Sequence, residues 1–81
     1  MTQNEVIDRL QPIFDDLLMQ PVILRAELTA HEVEGWDSLM QISLLLAIEK
    51  DFRIRFRVGE AERAKSVGEL ADLIAQRVSG P

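Results

Sequence analysis

Between Leu39 and Phe52 the chain is apolar around most of a helix, and no other stretch limits the fold as much. Leu44, Leu45, Ile48 and Phe52 form one stripe. Leu39, Ile42 and Leu46 form a second, about a third of a turn away at the 3.6-residue period. A helix apolar nearly all round is either central in a core or partly exposed for a purpose. A chain of 81 residues buries only a limited core, so the second stripe is expected to be at least partly exposed. This helix is expected over about Ser38 to Asp51.

The flanking segments supply its packing partners. A first helix is expected from about Gln3 to Met19. Thr2 followed by Glu5 fits a capping box, and Val6, Ile7, Leu10, Ile13, Phe14, Leu17 and Leu18 share one face. Pro12 projects on the polar side with Glu5, Asp8 and Asp16, so one helix with a bend is expected rather than two. Gln20-Pro21 ends it. The long connection from Pro21 to Trp36 carries Val22, Ile23, Leu24, Leu28 and Val33, which predicts packing against the bundle and room for a helical turn.

After the second helix, Arg53 to Val58 alternates charged and apolar residues. A lone strand has no partner here, so an extended loop with Ile54, Phe56 and Val58 inward is expected. Gly59 to Lys65 is short and charged, with room for one or two helical turns. Ser66-Val67-Gly68-Glu69 fits a second capping box. A last helix then carries Val67, Leu70, Leu73, Ile74 and Val78 on one face, stopped by Ser79-Gly80-Pro81. The whole reads as one all-α domain, residues 1–81, built as a four-helix bundle with a long first loop and a short third helix.

Composition narrows the function classes. Fourteen acidic against nine basic residues give a net charge of −5, a poor match for nucleic acid phosphates. No apolar run reaches membrane-spanning length, and the first residues lack the layout of a signal peptide, so a cytoplasmic protein is expected. One histidine and no cysteine make a metal site improbable and remove a thiol nucleophile. His31, Asp37 and Ser38 include the residue types of a hydrolytic triad. Adjacent Asp and Ser do not readily hold a histidine between them, however, and no oxyanion loop is visible. His31 is expected as a solvated loop residue, and nothing points to a catalytic residue.

Ser38 stands out for a different reason. Gly35-Trp36-Asp37-Ser38-Leu39-Met40 places its hydroxyl where a loop becomes an apolar helix. Asp37 and Ser38 are both N-cap types. A helix N-terminus carries partial positive charge and unpaired N–H groups, so it tolerates a phosphate on a nearby oxygen. Without catalytic apparatus, such a serine suits modification by another enzyme.

Trp36-Asp37-Ser38-Leu39, Leu45 to Phe52, Gly59-Glu60-Ala61-Glu62 and Ser66-Val67-Gly68-Glu69-Leu70 together resemble the acyl carrier protein family over essentially the whole chain. The resemblance implies that Ser38 receives 4′-phosphopantetheine from coenzyme A through a magnesium-dependent phosphopantetheinyl transferase, with Asp37 on the magnesium side. The arm's thiol then holds acyl groups as thioesters. The other implied partners are an acyl-loading ligase or acyltransferase and downstream biosynthetic enzymes. Many fatty-acid synthesis carriers have acidic residues early in the serine-bearing helix, where this chain has Met40 and Ser43. Trp36 before Asp37 resembles stand-alone carriers of specialised pathways. The partner surface is expected over Leu39, Met40, Ile42, Leu46 and Glu49, on a monomer. Two other readings stay open: a peptidyl or aminoacyl carrier with the same arm, and an unmodified helical adaptor that binds through Leu39, Ile42 and Leu46.

Overall fold

The computed structural model describes residues 1–57 and 59–79, so Val58 and the Gly80-Pro81 stop lie outside the described residues. Three α-helices run in chain order: α1 (Gln3–Leu17), α2 (Ser38–Phe52) and α3 (Val67–Ser79). Among the described residues there is no strand of a sheet, only an isolated bridge between Thr29 and Ser66. The all-α expectation holds, while among the described residues three α-helices stand where four were expected. The expected short third helix is a single 3-10 turn, Ala61–Arg63. The physical reason is that a helix nucleus is costly and this segment buries only Ala61 to offset it.

α1 begins at the expected capping box. The Glu5 N–H donates to Thr2 Oγ1 (3.2 Å) and the Thr2 N–H to Glu5 Oε1 (2.8 Å). It runs unbroken through Pro12. Pro12 and Asp8 are both exposed, so the Asp8 carbonyl left without a helix partner lies on the solvated side. Val6, Ile7, Leu10 and Phe14 face inward and pack α1 against both α2 and α3. From α3, Val67, Leu70, Ala71 and Ile74 complete the core, whereas Leu73 is half-buried and Val78 is exposed.

The long first loop is held by specific bonds. Gln11 donates through Nε2 to the Val22 carbonyl (2.7 Å) and accepts the Leu24 N–H at Oε1 (3.0 Å). Of the five apolar residues expected to pack, Leu24, Leu28 and Val33 are buried and Val22 is half-buried, while Ile23 is 82% exposed. A 3-10 turn at Ala30–Glu32 leads toward α2. Glu32 accepts both the N–H (3.0 Å) and the hydroxyl (3.1 Å) of Thr29, and these bonds hold its carboxyl below the usual carboxylate range.

The loop is also clamped to the start of α3. Val67 and Gly68 donate N–H groups to the carbonyls of Leu28 (2.8 Å) and Ala26 (2.9 Å). A Cβ at Gly68 would stand 2.9 Å from the Ala26 oxygen. Gly68→Ala is therefore expected to destabilise the fold. Overpacking of about 1–3 kcal/mol exceeds the roughly 1 kcal/mol gained in helix propensity. A urea midpoint equal to or above the wild-type value would contradict this reading of the clamp. The second capping box is half-formed: Ser66 Oγ accepts the Glu69 N–H (3.2 Å), but the Glu69 carboxylate takes the Ser66 hydroxyl.

Candidate functional site

α2 settles which of two adjacent cap-type residues ends the loop. Asp37 is the N-cap, and its Oδ1 accepts the Met40 N–H at 2.9 Å. Ser38 is the first helical residue, exposed, with its hydroxyl outside the cap. It stands among the first amides of a 15-residue helix, where helix polarity favours negative charge.

The approach to Ser38 is fixed by Trp36. Its ring packs edge-on against Phe14, with centroids 5.0 Å apart at 78°. Its indole N–H donates to Gln41 Oε1 at 2.6 Å. Gly35 precedes it at φ +91°, a backbone state that a side chain disfavours. The turn, the indole and the cap together set where the Ser38 hydroxyl emerges.

Beside Ser38 lies an open depression of about 340 Å³. His31, Trp36 and Gln41 line it together with Glu62 and Lys65 from the second 3-10 turn and its exit. Sequence reasoning did not join Lys65 or Glu62 to Ser38. They are over twenty positions away, and only the tertiary fold brings them there. His31 is exposed, as a solvated loop residue should be, yet it lines the same depression. Among the described residues no hydrogen bond joins His31, Asp37 and Ser38, and the Asp37 Oδ1 is taken by its helix amide.

The expected partner residues divide. Leu39, Ile42 and Leu46 are exposed at 74%, 59% and 63%, a continuous apolar strip starting next to Ser38. Met40 does not belong with them, because it is buried in line with Leu44, Ile48 and Phe52. Those four residues recur every fourth position, which places them along one side of the helix. Glu49 is half-buried, and its Oε2 accepts the Phe56 N–H at 2.8 Å, tying the following loop to α2. Leu45 leaves the core stripe for a shallow groove of about 270 Å³ shared with Ile42, Leu46 and Phe56.

Among the described residues, no helix is long and apolar enough to cross a membrane. A family model described as a phosphopantetheine attachment site matches residues 8–74. The acyl carrier protein of Thermosynechococcus vestitus is 30% identical over 80 residues, covering 98% of this chain and 99% of that protein. The solution structure of the holo acyl carrier protein from Geobacter metallireducens superposes with a TM-score of 0.83 at 33% identity, covering 91% of this chain and 86% of that one.

Proposed function

Because this chain belongs to the acyl carrier protein family, whose members are carriers without catalytic activity and bear covalent phosphopantetheine, we propose that Ser38 is the attachment residue. The observation that carries this reading is the division of labour at α2. Asp37 caps the helix, and the next residue presents a free-standing hydroxyl beside an open depression. The site suits the group it would hold. A phosphodiester on Ser38 would lie near the first amides of α2, whose partial positive charge suits its anionic oxygens, in a depression lined by both Lys65 and Glu62. When bound, the arm supplies the thiol that a chain without cysteine lacks, and holds an acyl group as a thioester.

The chain's own residues do the presenting. Trp36 and Gly35 hold the turn, Asp37 holds the helix end, and Leu39, Ile42 and Leu46 offer an apolar strip to the enzymes that load and use the arm. Early in α2 this chain has no carboxylate at Met40 or Ser43, so docking there rests on apolar contact rather than on acidic side chains. The partners of this reading are a phosphopantetheinyl transferase, an acyl-loading ligase or acyltransferase, and downstream biosynthetic enzymes of the cytoplasm, all meeting a monomeric single-domain carrier.

Intact mass before and after incubation with coenzyme A, magnesium and a broad-specificity phosphopantetheinyl transferase tests the reading. A gain of one phosphopantetheine is expected. A folded protein that gains none beside a working control contradicts it and favours the unmodified adaptor.

Asp37 carries two separable roles. Asp37→Ala is expected to cost about 0.5–2 kcal/mol through the lost cap, while Asp37→Asn keeps a capping oxygen and leaves stability close to wild type. If the carboxylate also serves the magnesium side of the transfer, Asp37→Asn slows arm attachment at unchanged stability. An unaltered attachment rate would confine Asp37 to the cap.

A further inference from the structure

At the far end of α2 from Ser38 the surface changes sign. Arg53, Arg55 and Arg57, with Arg77 of α3, line an open groove of about 600 Å³. Four of the nine basic residues of an acidic chain are gathered here. Exposed Arg53, Arg55 and Arg57 alternate with half-buried Ile54 and Phe56, so the core holds the segment while the guanidinium groups stay in solvent. Glu60 fixes the floor. One carboxylate oxygen accepts the Arg57 N–H (2.9 Å) and the other pairs with Arg77.

Glu49 and Asp51 have other partners, while Glu62 shares a groove with Arg57. Asp51 pairs with Arg9 at 3.0 Å, and Glu49 is held by the Phe56 N–H. Among the described residues no carboxylate lies within ion-pair distance of Arg53, Arg55 or Arg57. Arg53 and Arg55 without an ion pair, and Arg57 with the Glu60 carboxylate nearby, leave this face of a chain of net charge −5 open to an external anion.

We propose that this arginine groove docks an acidic segment of a partner protein. Its position supports that occupant over other anions. Arg53 ends α2 in the left-handed conformation (φ 58°), and Arg55 and Arg57 follow two apart, a spacing of roughly 6–7 Å where the chain is extended, so the three match a run of carboxylates better than one small ion. A nucleic acid duplex or an anionic bilayer extends past the patch and meets the negative remainder of the protein. α2 spans about 22 Å, so a partner bound here occupies one end of the helix and leaves Ser38 free at the other. The proposal does not depend on Ser38 being modified.

The test is titration of the ¹⁵N-labelled full chain with a hexaglutamate peptide, followed by amide and arginine Nε–H shifts, in wild type and in Ser38→Ala. Saturable shifts confined to residues 53–57 and Arg77, weakening as salt rises from 25 to about 200 mM, are expected in both proteins. Arg55→Glu/Arg57→Glu is expected to weaken binding at least tenfold, with circular dichroism confirming its fold. No shifts, shifts centred on Leu39, Ile42 and Leu46, undiminished binding by the double variant, or tighter binding to duplex DNA or phosphatidylserine vesicles would overturn the proposal.

Discussion

Ser38→Ala is expected to abolish arm attachment completely while leaving the fold as stable as wild type. The first half follows from chemistry, since alanine has no side-chain oxygen to take the phosphopantetheine from coenzyme A. The second half follows from position. Ser38 is exposed, and the cap bond to Met40 belongs to Asp37. Alanine is also the better helix former, by a few tenths of a kcal/mol, roughly half a kcal/mol at most. Intact mass after incubation with the transferase should therefore stay at the unmodified value, beside a wild-type chain that gains one phosphopantetheine. The thermal midpoint should be equal or slightly higher. Modification of the alanine variant would move the attachment to another residue. A clearly lower midpoint would mean that the Ser38 hydroxyl supports the helix end after all.

Phe14→Ala is expected to do the opposite and damage the site through the core. Phe14 is fully buried, the largest side chain in that condition. Truncating a buried phenylalanine costs about 3–5 kcal/mol in lost transfer energy and cavity. At roughly 0.05–0.15 kcal/mol per residue, a domain of this size has about 4–12 kcal/mol of total stability, so the loss consumes a large part of it. The edge-on contact with Trp36 is lost as well, and with it one of the restraints on the turn that delivers Asp37 and Ser38. Urea unfolding followed by circular dichroism should show a midpoint far below wild type. Attachment measured under folding conditions should slow even where the variant remains helical. A loss below about 1 kcal/mol would show that the site tolerates collapse around the missing ring.

Much of this arrangement was legible because it is local. The Thr2–Glu5 box and the 3.6-residue spacing from Val6 to Phe14 define α1 from neighbouring residues alone. The exposure of Leu39, Ile42 and Leu46 follows from simple capacity: so small a core takes one stripe of α2 and leaves the other out. Met40, expected on the partner surface, is buried, and the signal for that burial is local. It sits four residues before Leu44, in line with Ile48 and Phe52, and only the family position of an early helix residue argued for the surface. Asp37 and Ser38 are chemically equivalent as caps, so the backbone alone decides between them. Gln11 and Glu49 were illegible for another reason. Each binds loop backbone that the fold, not the sequence order, brings within reach. The 3-10 turn at Ala61–Arg63 shows the limit of periodicity in short segments, where one buried alanine does not sustain a helix.

The separate duties of Asp37 and Ser38 bear on the protein's lifetime. With the cap on Asp37, the unmodified chain already has its helix end in place. If Ser38 carries the arm, the negative charge of the phosphodiester beside the first amides of α2 favours the folded form by about 0.3–1 kcal/mol. Unmodified chains would then open a few times more often and meet proteases sooner than their modified counterparts.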